Sequence, residues 1–262
     1  MRLMSVRLAL VMSTISACGG APAAPAPSPI ATPVARVEPV ATRLALLDAL
    51  APAWPAAVGM DSTLPAQLDE ITRVALAEGA APGAVIAVAR HGRLVHMKSY
   101  GTLGYAVGSP PTSASSLYDL ASLTKVVATT MSAMILEEKG ALDVQRTVAS
   151  YLPEFSAPDK AAITVRMLLT HSGGLESYAP LYLHHRGRAD FLAQINARPL
   201  RSIPGTATVY SDWGMVLLQA VVERIAGAPP DDSAARRIFQ PLSMADTRFA
   251  PDTADATLRQ RI

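Results

Sequence analysis

Leu64, Leu68, Ile71, Val74 and Leu76 recur at helical spacing and predict a helix capped at Asp61 or Ser62, running to Glu78 and stopped by Gly79. The pattern then changes. GAVIAVAR at 83–90 is apolar and rich in β-branched residues, His91 and Gly92 suit a tight turn, and RLVHMKSYG at 93–101 alternates, so the two runs predict a β-hairpin. A second helical pattern begins near Ser122 and runs to Lys139, where Gly140 stops it, with Val126, Val127, Met131, Met134 and Ile135 expected inside. Three more helical stretches follow at 163–171, 191–198 and 213–227, joined by segments that hold the prolines and glycines. Strands first and helices after predict an α+β or α/β domain with antiparallel strands, and no internal repeat is visible.

The N-terminal stretch carries a different pattern. MRLMSVRLALVMSTISAC at 1–18 has two arginines, a short apolar run and then small residues, the layout of an export signal. Its apolar run is too short to cross a bilayer. The sole cysteine, Cys18, follows Ile15, Ser16 and Ala17 and precedes two glycines, an arrangement that resembles the lipobox where bacterial lipoproteins are cleaved and acylated. The expectation is an exported chain in the periplasm or cell envelope, held to the membrane through a lipidated Cys18. From Gly19 the composition turns to alanine and proline, which suits an extended tether. The organisation expected is therefore a signal at 1–18, a linker at 19–60 and a globular domain at 61–262.

Composition narrows the function. With 262 residues, half of them hydrophobic, the chain can bury a sizeable core. Once Arg2 and Arg7 leave with the signal, basic and acidic residues balance, and no basic run offers a nucleic-acid footprint. His184 and His185 are adjacent and so point apart, with no carboxylate at ligand spacing, so no metal site and no cofactor is expected.

Chemistry enters at ASLTKVVAT, residues 121–129. Residues three apart share a helix face, so Ser122 and Lys125 can meet at hydrogen-bond distance. A serine at a helix start has backbone N–H groups for a developing oxyanion and the positive end of the helix dipole beside it. Lysine can act as the base if burial or a positive potential lowers its pKa. The plainer alternative is that Ser122 or Asp119 caps the helix and Lys125 is solvated, because S-x-x-K is a short pattern.

The wider context is more specific. LYDLASLTKVVATT, LTHSGGL at 169–175, PGTATVYSDWGMVLLQAVVERIAG at 204–227 and FQPLSMADTRF at 239–249 together resemble the serine β-lactamase and penicillin-binding-protein superfamily, in its class C-like branch of esterases and D-alanyl-D-alanine carboxypeptidases. The resemblance implies a sheet flanked by helices, an all-helical region beside it, and an active site between. It implies that Ser122 is the nucleophile, Lys125 its base partner and Tyr210 the tyrosine of a Y-x-N motif, able to shuttle protons while Lys125 stabilises the phenolate. Asp212 stands where that motif has asparagine. An ionised aspartate only accepts hydrogen bonds, and its charge would hold Lys125 as an ammonium and favour Tyr210 as the base. Asp212 is thus either a substrate-binding residue or the N-cap of the following helix. His171 is expected to be structural.

A third family motif, K-T-G or similar, does not occur by Ile262, and the expectation is a parent chain that continues. The function expected is a serine hydrolase forming an acyl-enzyme on esters, D-Ala-D-Ala peptides of the cell wall or β-lactams. The rivals are a silent cell-wall-binding lipoprotein, a non-functional fragment, and a true β-lactamase.

Overall fold

The computed structural model describes residues 50–250 and 255–262; the signal, Cys18 and most of the expected linker lie outside them. The predicted hairpin is present. Strands β2 (Gly83–Arg90) and β3 (Arg93–Gly101) pair antiparallel from Gly83 opposite Gly101 to Arg90 opposite Arg93, with a shift between Val88 and Ala89. His91 and Gly92 both take positive φ, which the tight turn requires. One strand is additional. β1 (Ala51–Pro52) lies parallel to β3, so the sheet order is β1-β3-β2 and the sheet is mixed, whereas purely antiparallel pairing was expected. The chain around it is not a free tether from residue 51 onward, because Pro55 is buried and Ala53 N–H donates to the Leu94 carbonyl.

Helix α1 (Leu64–Ala77) lies on this sheet. Asp61 opens it by accepting from the Thr63 amide and hydroxyl, both at 2.8 Å. The buried member of its face is Thr72, while Ile71 points to solvent, so the inner stripe is shifted from the one predicted. Asp69 joins helix to strand, accepting from Lys98 at 2.7 Å and from Tyr100 at 2.8 Å. Burial, then the bond to Asp69, pushes the Tyr100 phenol up to about 12.

The remaining elements are helical: α2 (Met131–Glu138), α3 (Val165–Leu169), α4 (Arg188–Ala197), α5 (Asp212–Ala226), α6 (Pro230–Ala234) and α7 (Ala256–Arg259). Their core centres on α5. Trp213, Leu217, Leu218, Val221 and Val222 pack with Val165 and Leu168 of α3, Ala133 and Leu136 of α2, and the loop residues Leu152, Phe155 and Ile163. Ser211 caps α5 by accepting from Gly214 N–H at 3.1 Å, and Gly227, left-handed, ends it.

The helix carrying the candidate nucleophile departs from the expected winding. Lys125–Thr130 is a π-helical segment that runs straight into α2. A π turn holds an extra residue and marks functional positions more often than chance. The extra residue also changes which side chains face in: Ala128, Ala133 and Leu136 are buried, whereas Val126 and Met134, expected inside, point out.

Candidate active site

The site begins at a strained turn. Asp119 accepts from the Ala121 amide at 2.8 Å, and Ala121 sits at φ +42°, a region that a residue with a Cβ rarely occupies. The turn delivers Ser122 to the head of the helix, where Lys125 N–H donates to the Ser122 carbonyl at 3.1 Å. Neither Asp119 nor Ser122 caps the helix with its side chain, so the plain capping alternative does not hold. Ser122 instead accepts from Lys125: Nζ lies 2.8 Å from Oγ.

A second wall comes from residues 209–212. Val209 N–H donates to the His171 carbonyl at 2.9 Å, and Ser211 N–H donates to His171 Nδ1 at 3.1 Å. The Ser211 hydroxyl donates to the Glu176 carbonyl at 2.7 Å, and Asp212 N–H donates to the Ser177 carbonyl at 2.9 Å. These four bonds fix the strip on both sides of Tyr210. The Tyr210 ring leans on the His171 ring, centroids 4.7 Å apart, and Lys125 Nζ lies 5.1 Å from the Tyr210 centroid. Glu176 is in turn clamped by Arg198 at 3.1 Å and Arg201 at 2.6 Å, with Arg198 stacked over Trp213.

Asp212 occupies the first turn of α5 rather than its cap, a position Ser211 takes. Its carboxylate lies 2.8 Å from Lys125 Nζ. The structure therefore brings Ser122, Lys125, Tyr210 and Asp212 into one cluster.

The electrostatics separate their protonation states. Burial disfavours the Lys125 ammonium, but the bonds to Asp212 and then Tyr210 outweigh it and leave the pKa raised. Lys125 is thus a cation at neutral pH and not the free base considered from sequence. Tyr210 shifts the other way: the bond with Ser122, then the one with Lys125, holds its phenol below the usual range against burial and the Asp212 charge. Burial, then the Lys125 charge, lowers His171, so its imidazole is neutral and able to accept from Ser211.

Sequence reasoning assigned His171 a structural place, and the geometry agrees: its backbone is left-handed, at φ +55°, as it enters the glycine turn. What that reasoning missed is the ring's grip on the strip that holds Tyr210, together with the carbonyls of Glu176 and Ser177. The run T-H-S-G-G was the available signal, because a histidine before two glycines places a ring on a tightly folded loop. His185 contacts Asp190 at 3.0 Å, a carboxylate not anticipated from sequence. Among the described residues no group of three or more His, Cys, Asp or Glu could hold a metal ion, and no helix is long and apolar enough to cross a membrane.

Comparison with known proteins places this cluster in context. Residues 68–261 match the family described as Beta-lactamase. An N-acetylmuramyl-L-alanine amidase of Bacillus subtilis (strain 168) is 33% identical, over 65% of this chain and 43% of its own. Esterase EstB of Burkholderia gladioli is 31% identical, over 74% of this chain and 54% of its own. Among solved structures, EstCE1, a hydrolase with promiscuous acyltransferase activity, superposes with a TM-score of 0.63 at 26% identity, covering 69% of this chain and 52% of that one. The chain spans about half the length of the relatives it matches. With the family pattern running through nearly all of the described domain, and the S-x-x-K and Y-S-D residues meeting at one point, the chain belongs to the beta-lactamase family.

Proposed function

We propose that the protein is a serine hydrolase that forms an acyl-enzyme on Ser122, with esters or D-Ala-D-Ala peptides as substrates. The observation that carries this reading is the placement of one ammonium, Lys125 Nζ, 2.8 Å from both the Ser122 hydroxyl and the Asp212 carboxylate and beside the Tyr210 ring.

In this reading Tyr210, as phenolate, takes the proton from Ser122 Oγ, and Lys125 stabilises the phenolate's charge. The Oγ–carbon bond forms while the carbonyl electron pair moves to oxygen, where the Ser122 amide and the helix start stabilise it. Collapse of the intermediate breaks the bond to the alcohol or amine, which takes the proton from Tyr210. Water, deprotonated by Tyr210, then attacks the acyl-serine, and the proton passes to Oγ as the acid departs. Asp212 keeps Lys125 charged throughout, which reserves the basic role for Tyr210.

Intact mass spectrometry after incubation with a fluorophosphonate tests this directly. One adduct is expected on the wild type and none on Ser122→Ala. A folded wild-type chain that takes up no adduct would leave a silent binder of cell-wall peptide as the better account.

We further propose that the chain is exported and anchored through a diacylated Cys18, on the strength of the layout of residues 1–18 and the cysteine's small-residue surroundings. Expressed in a bacterium, Cys18→Ala is expected to move the protein from the membrane fraction to the soluble one. Equal membrane association of both forms would count against the anchor.

A further inference from the structure

A cavity of about 610 Å³ opens beside the cluster, within the range of small-molecule sites. One wall is a single face of α5: Asp212, Met215, Val216, Gln219 and Glu223 line it at helical spacing. From Asp212 to Glu223 that face extends about 16 Å at the rise of an α-helix. Phe191 and Leu192 of α4 contribute to the lining, as do Pro230 and Phe249. The groove starts at Lys125 and Asp212, so its head lies one hydrogen bond from Ser122 Oγ.

The chemistry of the lining says what fits. Its side is apolar, with Val216 exposed in mid-helix rather than packed. Most of its polar groups have partners: the Thr129 hydroxyl donates to Gln219 at 2.9 Å, Lys125 forms an ion pair with Asp212, and Arg188 pairs with Glu223. Both cations of the lining therefore have a carboxylate partner. A peptide ending in a free carboxylate would have to share one of those cations with the carboxylate already on it, Asp212 or Glu223, and would meet its repulsion. An uncharged hydrocarbon chain displaces only water from apolar surface.

We propose that this groove holds an elongated, uncharged apolar chain of the substrate, so that the protein's substrates are esters carrying such a chain rather than peptides with a terminal carboxylate. The inference rests on the serine-hydrolase reading for the reaction, but the binding it describes is separable from catalysis.

The test uses the full chain with Ser122→Ala, titrated calorimetrically with methyl acetate, methyl hexanoate, methyl octanoate, octyl acetate and N-acetyl-D-alanyl-D-alanine. Affinity is expected to rise with chain length by up to about fourfold per methylene, with no measurable gain for the dipeptide. A gain along the methyl esters alone places the chain on the acyl side, and a gain for octyl acetate alone places it on the alcohol side; either supports the groove. Val216→Trp, which fills it, should abolish the dependence on chain length. If circular dichroism shows that this variant misfolds, Val216→Asn, which sets an amide in the apolar wall, should reduce the dependence instead. Affinity independent of chain length, a dependence that survives both variants, or preferential binding of the dipeptide would overturn the proposal. A folded wild-type chain that takes no fluorophosphonate label while the chain-length dependence stays intact would sink the hydrolase reading alone.

Discussion

Tyr210→Phe is expected to lower kcat/KM for ester hydrolysis by about 10²- to 10⁴-fold, the usual contribution of a positioned proton carrier. The substitution is conservative. The phenyl ring can keep its place against His171, and the strip stays held by the backbone bonds of Val209, Ser211 and Asp212, so the loss should fall on kcat rather than KM. The pH dependence supplies a second readout. The phenol of Tyr210 is held below its usual pKa and is the base of the proposed mechanism as phenolate, so in the wild type the rate is expected to rise as pH passes upward through that pKa. It falls again when Lys125 loses its proton, because the cation that stabilises the phenolate is then gone. Asp212 is a cause of the raised Lys125 pKa, so Asp212→Asn should move this alkaline limb to lower pH. A Phe variant that keeps activity within about threefold of wild type would remove Tyr210 from the mechanism.

Gly174→Ala should destabilise the fold by about 2–4 kcal/mol and damage the site as well. Gly174 lies at φ +74°, and a Cβ there would stand 2.2 Å from the Ser202 carbonyl oxygen. That oxygen belongs to the backbone and cannot rotate away as a side chain would. Local relief is limited because Arg201 N–H donates to the Gly174 carbonyl at 2.7 Å and Gly205 N–H to the Ser172 carbonyl at 2.8 Å, tying the two loops together. Any shift passes to Glu176 and Ser177, two and three residues on, whose carbonyls hold Ser211 and Asp212. Urea unfolding should show a lower midpoint with an unchanged slope. An unchanged midpoint would mean that the 201–205 loop yields freely and that the clamp is weaker than its bonds imply.

Those positions show what sequence could and could not disclose. The hairpin and the long helices were legible because their periodicity and their Gly stops are local properties. The S-x-x-K pair was legible because a helix makes i and i+3 neighbours whatever surrounds it. The cap of α5 was not. Ser211 and Asp212 are both good capping residues, and the choice between them was settled by partners far along the chain: Glu176 receives the Ser211 hydroxyl, and Lys125 draws Asp212 aside. The protonation of Lys125 was open for the same reason, because burial and Asp212 pull in opposite directions and only their distances decide. Strand β1 escaped notice because two residues carry no periodicity.

The π-helical segment also bears on how this chain tolerates changes in length. It amounts to one surplus residue between two stretches with separate places: Ser122 ahead of it and Lys125 at its first position stand in the candidate site, and Ala133 and Leu136 after it pack in the core. Substitutions on either side leave the two in phase. Loss of a single codon within 125–130 would restore a regular helix and turn one stretch against the other by about 100°. A change in length here therefore costs more than a change of side chain, since the helix would gain regularity while Ser122 turned away from Asp212 and Tyr210.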